Sequence, residues 1–94
     1  MIAAMDAMYA TDGDRLVPSD LVQGPWDPTT CHGGPVAALL ARAVEQVATP
    51  DPMRVARLTI DLLRPVPIEP VQVRTEVVRA GRQIHVVDAT MWHG

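Results

Sequence analysis

The sequence predicts a small α+β domain, in which an antiparallel β-sheet packs on one helix. Two observations predict this class: apolar residues recur every three or four positions over residues 36–47, and they alternate with polar residues from about residue 57 onward. With 94 residues, 48% of them hydrophobic, the chain forms a single domain of residues 1–94. Because it contains no phenylalanine, aliphatic side chains must fill most of the core.

A short hairpin is predicted near the start of the chain. Residues 7–11 and 15–17 flank Asp12-Gly13, a pair that tight hairpin turns favour because both residues tolerate positive φ. Residues 18–20 are expected to end the hairpin, and residues 21–26 to form an irregular stretch or one helical turn.

A helix is predicted at about residues 35–48. Pro35 suits its first position, where the missing N–H costs nothing, and the Thr-Pro-Asp-Pro run at residues 49–52 ends it. The apolar face consists of Val36, Leu39, Leu40, Ala43, Val44 and Val47.

Three strands are predicted after the helix. In the first, Leu58, Ile60 and Leu62 share one face and polar residues occupy the other. The second spans residues 71–78 and the third residues 83–92, with a turn at Gly81. Because the last strand leaves an unpaired edge, we expect self-association or a partner half.

Composition argues against several classes of protein. A net charge of −3 is unsuited to binding nucleic acid, which requires clustered basic residues. The single cysteine, Cys31, cannot form an internal disulfide, and the three histidines show no metal-ligand spacing. With no leader and no apolar run of about 18 residues, the expectation is a cytoplasmic protein without a membrane span or metal.

The turn before the helix is the strongest candidate for a binding site. Gly33 and Gly34 lack a Cβ, so a ligand can approach the backbone, and a helix start presents unpaired N–H groups with a partial positive charge. A carbonyl or a phosphate group can sit there. The same two glycines also suit a purely structural role, in which they let the chain turn tightly before the helix.

Four motifs stand in order along the chain. They are Gly13-Asp14-Arg15, Gly24-Pro25-Trp26-Asp27-Pro28, His32-Gly33-Gly34-Pro35, and Leu62-Leu63-Arg64-Pro65-Val66-Pro67 with Gly81-Arg82. Together they resemble the thioesterase-like superfamily of hotdog proteins, of the acyl-CoA thioesterase II type, over about residues 7–92. The resemblance implies a hotdog unit, an antiparallel sheet wrapped around one long central helix.

Relatives of this type usually carry two hotdog units in one chain. This sequence resembles the first unit only, so we expect it to be truncated relative to them. The residues that position the hydrolytic water in those relatives belong to the second unit, so none of the residues here inherits that role from the resemblance.

Two residues are candidates for catalysis of thioester hydrolysis. Asp27 resembles, in its placement upstream of the helix, the base or nucleophile of some single-unit hotdog thioesterases. His32 can orient a water molecule or take up its proton. The plainer alternatives are a turn residue for Asp27 and a helix-capping residue for His32.

Four further residues are candidates for substrate binding. The amides of Gly33 and Gly34 can stabilise negative charge that develops on a thioester carbonyl. Trp26 can line an acyl tunnel or, alternatively, anchor its loop on the core. Asp61 is the fourth candidate, and its alternative is an ion pair with Arg57 or with an arginine across the sheet.

Other side chains have less specific expectations. Arg64, Arg79 and Arg82 can meet the phosphates of coenzyme A, although exposed arginines need no such role. Cys31 is expected to be a small buried residue.

The resemblance thus implies an acyl-CoA thioesterase-like protein that binds an acyl thioester at the helix N-terminus and, if it is an enzyme, hydrolyses it with an activated water. The alternatives are a non-catalytic hotdog half that binds acyl groups or a partner unit, and a hotdog enoyl-thioester hydratase or dehydratase. No cofactor is expected beyond the coenzyme A of the substrate. The expected partner is a second hotdog unit, in a homodimer or larger assembly.

Overall fold

A computed structural model describes residues 7–93, which form one α-helix and four strands. In chain order these are β1 (Tyr9–Asp12), β2 (Arg15–Pro18), a 3₁₀ turn (Asp20–Val22), α1 (Gly33–Glu45), β3 (Gln72–Ala80) and β4 (His85–Trp92). The α+β class is confirmed. Residues 1–6 and Gly94, which the predicted domain includes, lie outside the described part of the chain.

The first hairpin is confirmed, with its turn one residue later than predicted. Asp12 pairs with Arg15, so Gly13 and Asp14 form the two-residue turn. Gly13 has a φ of +62°, a conformation that costs glycine little and that suits the first position of a type II′ turn. The 3₁₀ turn follows directly, and the Ser19 hydroxyl accepts a hydrogen bond from the Leu21 amide at 3.3 Å.

The helix begins and ends earlier than predicted. It spans 13 residues, from Gly33 to Glu45, whereas the prediction placed it at residues 35–48, and the expected long central helix is not confirmed. Pro35 occupies its third position. Its missing N–H still costs nothing there, because the amides of the first helical turn have no acceptor within the helix. The chain turns out of the helix at Gln46, where the Val47 amide donates to the Val44 carbonyl at 3.1 Å.

The core lies under the first half of α1. Val22 and Val71 are fully buried, at 0% and 1% exposure, and they are joined there by Pro35, Val36 and Leu39 from the helix. The helix packs against β3 and β4. The sheet does not form one continuous layer around it, because the strands make two separate two-stranded sheets. A single antiparallel bridge between Leu16 and Val71 connects them.

The second hairpin contains a bulge that the sequence pattern does not reveal. The register shifts between Val77 and Arg79, which leaves Val78 as the extra residue. Half-buried residues such as Thr75 and Ala89 lie opposite each other, and so share one face. The chain turns at Gly81, where a Cβ would lie only 2.6 Å from the Ile84 carbonyl oxygen.

The strand predicted around residues 57–62 is wrong for this chain. Residues 52–63 run without strand, turn or bend, and their amides donate no backbone hydrogen bond to any residue of 7–93. Alternation of apolar and polar side chains predicts a strand only where another strand offers a free edge to pair with. No strand among residues 7–93 pairs with this segment.

Truncation of Val71 tests the position of the core. We expect Val71→Ala to lower the free energy of unfolding by roughly 2 kcal/mol, because it removes buried methyl groups and leaves a cavity. Val78→Ala is the matched control in the same hairpin, since Val78 is 56% exposed. Urea unfolding followed by circular dichroism measures both, and equal losses would contradict the described core.

Candidate functional site

The segment that enters α1 is held by backbone hydrogen bonds on both sides. The Cys31 amide donates to the Val66 carbonyl oxygen at 2.7 Å, and the His32 amide donates to the Val22 carbonyl oxygen at 3.0 Å. The Thr30 amide donates to the Asp27 carbonyl oxygen at 3.2 Å. Three consecutive amides before the helix are therefore engaged, and the entry to α1 is fixed in position.

The next two amides are free within the described chain. Those of Gly33 and Gly34 donate to no acceptor among residues 7–93, and Pro35 has no N–H to donate. His32 is the N-cap residue, but its side chain makes no capping hydrogen bond. Two unpaired donors at the positive end of a 13-residue helix form an environment that suits a partial negative charge.

A cavity of about 280 Å³ opens beside these donors. Its lining is mostly apolar and comes from the helix entry and from the segment that precedes β3: Cys31, Gly33, Val36, Leu62, Leu63, Arg64, Pro65 and Val66. Leu62 lies close to the helix entry, because a Cβ on Gly33 would come within 3.4 Å of its Cδ1. The cavity thus combines an apolar wall, a backbone donor site and one guanidinium group.

Tyr9 and Cys31 form a contact that sequence reasoning missed. The Tyr9 hydroxyl lies 3.5 Å from the Cys31 Sγ, which in turn lies 3.7 Å from the Pro67 carbonyl oxygen. Burial raises the pKa of the Tyr9 hydroxyl well above its usual value, and the contact with Cys31 raises it further. Cys31 is half-buried and lines the cavity, so the expectation of a buried residue was only partly right.

Asp27 is a turn residue in this structure. Its Oδ1 accepts hydrogen bonds from the Thr29 hydroxyl at 2.7 Å and from the Thr29 amide at 2.8 Å. The Thr29 hydroxyl, and then the Thr29 amide, lower the pKa of this fully exposed carboxyl group. A lower pKa makes the carboxylate a weaker proton acceptor, and Asp27 does not line the cavity.

Four other predicted residues, His32, Gly34, Trp26 and Asp61, do not line the cavity. The His32 ring packs toward Gly34, where a Cβ would come within 3.4 Å of its Nδ1 and Cε1. Trp26 is 94% exposed, so in the described chain it neither anchors its loop nor lines the cavity. Asp61 is exposed and forms no ion pair with a residue of 7–93. Of the six predicted site residues, Gly33 alone lines the cavity.

A larger groove, of about 590 Å³, lies beyond the other end of the helix. Its lining includes Met53, Arg82 and His85, and the Nδ1 of His85 is buried without a hydrogen-bond partner in the described chain. We place the candidate site at the smaller cavity, because Gly33, whose amide is free within the described chain, lines it. Residues 7–93 contain no cluster of His, Cys, Asp and Glu suited to a metal ion. In the same range we find no helix with the length and apolarity that crossing a bilayer requires.

Comparison with protein families gives a match that covers most of the chain. Residues 22–94 match the family model described as the acyl-CoA thioesterase N-terminal domain. Comparison with curated proteins and with solved structures gives no match. The matched range contains the helix entry, the whole cavity lining and the second hairpin, whereas the first hairpin lies outside it.

The Tyr9–Cys31 contact is tested by alkaline titration. Tyr9 is the chain's only tyrosine, so tyrosinate absorbance reports this group alone. In the folded protein we expect its midpoint well above the ordinary 10.0, and in urea close to that value. Because the unfolded chain then loses this proton first, the raised pKa stabilises the fold below pH 10.0, and the contribution is lost as the pH rises above it. A native midpoint near the ordinary value would contradict the burial of this hydroxyl.

Proposed function

Because the chain belongs to the acyl-CoA thioesterase N-terminal domain family, we propose that it binds an acyl thioester at the start of α1. The proposal rests on one observation above all: the amides of Gly33 and Gly34 are unpaired within the described chain, and Gly33 opens onto a largely apolar cavity. The thioester carbonyl oxygen accepts hydrogen bonds from these amides. No other described position combines free helix amides with an apolar cavity.

The cavity lining supports this class of ligand. Val36, Leu62 and Leu63 offer apolar surface to the first carbons of an acyl chain. Arg64 lies on the same lining, and its guanidinium group suits a phosphate of coenzyme A. A volume of about 280 Å³ is at the low end for small-molecule sites, and so accommodates the reacting end of the ligand rather than a whole acyl-CoA.

Hydrolysis at this site follows from the same arrangement. A water oxygen attacks the thioester carbon, the developing oxyanion is stabilised by the two glycine amides, and His32 takes up the proton of the water. The carbon–sulfur bond then breaks, and the thiolate of coenzyme A receives a proton. His32 is preferred to Asp27 as the base, because the Asp27 carboxylate is already held by Thr29. The reaction requires no further cofactor.

A second candidate function is acyl-thioester binding without turnover. It is favoured by one observation: the titratable residues on the cavity lining are Cys31 and Arg64, and no carboxylate or imidazole is among them. In that case the chain is a binding unit whose chemistry requires groups from a partner unit, and a second hotdog unit in a homodimer is the partner we propose.

Gly33→Val tests the site. The new side chain crowds Leu62 and fills the space beside the free amides, so we expect roughly tenfold or more weaker binding of acyl-CoA, with unchanged helix content by circular dichroism. Ala38→Val is the matched control, because Ala38 is exposed on the same helix and does not line the cavity. Calorimetric titration with a non-hydrolysable acyl-CoA analogue gives both affinities, and unchanged binding by Gly33→Val would remove this turn from the site.

A thiol-release assay separates the two candidate functions. With acyl-CoAs of several chain lengths, release above background supports hydrolysis, whereas saturable binding without release supports the binding unit. If the protein hydrolyses, we expect His32→Gln to lower kcat on the order of a hundredfold with little change in KM, and Asp27→Asn to retain most activity. The reverse order would assign the base to Asp27.

A further inference from the structure

The residues that line the cavity at the start of α1 differ in exposure. Val36 is 3% exposed, and Cys31 and Val66 are half-buried. Leu63 is 89% exposed, and Arg64 next to it in the chain is exposed as well. The cavity therefore has an inner end, formed by the first three residues, and an outer end, formed by the last two.

This difference sets the direction of a bound acyl thioester. The phosphates of coenzyme A are charged and remain in water, and the guanidinium group of Arg64 lies at the outer end. The acyl chain is apolar and gains free energy by leaving water. With its carbonyl at the Gly33 and Gly34 amides, the ligand therefore directs its acyl chain toward the inner end and Cys31. The direction rests on the proposed function, which places the carbonyl at those amides.

A second layer of residues supports Cys31 from behind. The Cys31 Sγ lies 3.5 Å from the Tyr9 hydroxyl oxygen and 3.7 Å from the Pro67 carbonyl oxygen, and neither of those two residues lines the cavity. A carbonyl oxygen only accepts hydrogen bonds, so the thiol donates to Pro67 and the Tyr9 hydroxyl donates to the sulfur. The Cys31 amide is fixed in turn by the Val66 carbonyl oxygen at 2.7 Å. Cys31 is thus a floor that moves back only when these contacts break.

The space in front of this floor is small. At about 30 Å³ for each group the size of a water molecule, the cavity of about 280 Å³ holds roughly nine non-hydrogen atoms. The carbon, oxygen and sulfur of the thioester take roughly three of these positions, and the neighbouring carbons of the pantetheine arm take about two. Room remains for about four carbons beyond the carbonyl, so an acyl group of about five carbons fills the cavity.

We propose that Cys31, held by Tyr9, ends the acyl side of the site, and that this chain selects short acyl groups of up to about five carbons. Cys31 blocks the chain directly, and Tyr9 keeps the thiol in place. Tyr9 lies on β1, in the first hairpin, which is outside the range that matches the acyl-CoA thioesterase N-terminal domain. The limit on chain length therefore depends on a contact between the matched range and a residue that precedes it.

The dependence of affinity on chain length tests the limit. The probes are coenzyme A analogues in which a methylene group replaces the thioester sulfur, with acyl chains from acetyl to octanoyl, titrated calorimetrically into the full chain. Up to pentanoyl we expect the Kd to fall about fourfold for each added methylene group, as burial of apolar surface predicts. Beyond pentanoyl we expect it to stay level, because the floor stops the chain.

Two other outcomes contradict different claims. A Kd that keeps falling at the same rate through octanoyl would overturn the limit on chain length and leave the proposed function intact. If no analogue binds at any length, the proposed function itself is wrong, and the limit is lost with it.

Substitutions in the floor test which residues set the limit. In Cys31→Ala, which removes the sulfur, we expect the fall in Kd to continue for at least one more methylene group, a further gain of about fourfold. Cys31→Leu fills the inner end, so the Kd levels off at a shorter chain than in wild type. Tyr9→Ala lets the thiol move back and acts in the same direction as Cys31→Ala. Thr11→Ala, at an exposed position of the same strand, is the matched control and keeps the wild-type dependence.

Circular dichroism verifies that each variant folds. If Tyr9→Ala does not fold, the two substitutions of Cys31 still decide the matter, because they change the floor in opposite directions. The same dependence on chain length in wild type and in folded Cys31→Ala and Cys31→Leu would overturn the assignment of the floor.

Discussion

The hydrogen bonds that hold residues 30–32 determine the rest of the site. The amides of Thr30, Cys31 and His32 each donate to a carbonyl oxygen of the chain, and this series ends at Gly33. The helix starts where the series ends, and the next two amides have no acceptor among residues 7–93. A proline follows, and it has no amide to add. The amides before the helix are thus hydrogen-bonded and the proline after the two glycines has none. The Gly33 and Gly34 amides therefore remain as free donors at the positive end of the helix.

The core is concentrated at the same end of the helix. Val22, whose carbonyl oxygen accepts a hydrogen bond from the His32 amide, is fully buried. Val36 and Leu39 are buried with it under the first half of α1. Because the residues beneath the donors are buried, the proposed ligand binding requires little reorganisation, which is the condition under which backbone amides stabilise developing charge well. The other end of α1 faces an open groove beside Met53 and His85, and no buried counterpart of this cluster lies there among residues 7–93.

Local features could be predicted from the sequence, and features that depend on distant partners could not. The hairpin at Gly13, the helix after His32 and the turn at Gly81 each follow from a few neighbouring residues, and the structure contains all three. The contact between Tyr9 and Cys31 joins residues 22 positions apart, and no short motif indicates it. Apolar and polar residues do alternate around Leu58, but a segment with this pattern becomes a strand only if another strand has a free edge beside it. Similarly, Gly33 could be predicted as a site residue because a helix start is recognisable in the sequence. The exposure of Trp26 could not, because it depends on which distant residues pack against its loop.

The central claim is that the free amides of Gly33 and Gly34 donate hydrogen bonds to a thioester carbonyl oxygen. An acyl-CoA analogue in which a methylene group replaces the thioester sulfur keeps that carbonyl and cannot be hydrolysed as a thioester. When such an analogue is titrated into isotopically labelled protein, the account predicts that the amide proton resonances of Gly33 and Gly34 move downfield, as expected on gaining a hydrogen-bond acceptor. Saturable binding that leaves both glycine resonances in place, and shifts those around Met53 and His85 instead, would contradict it.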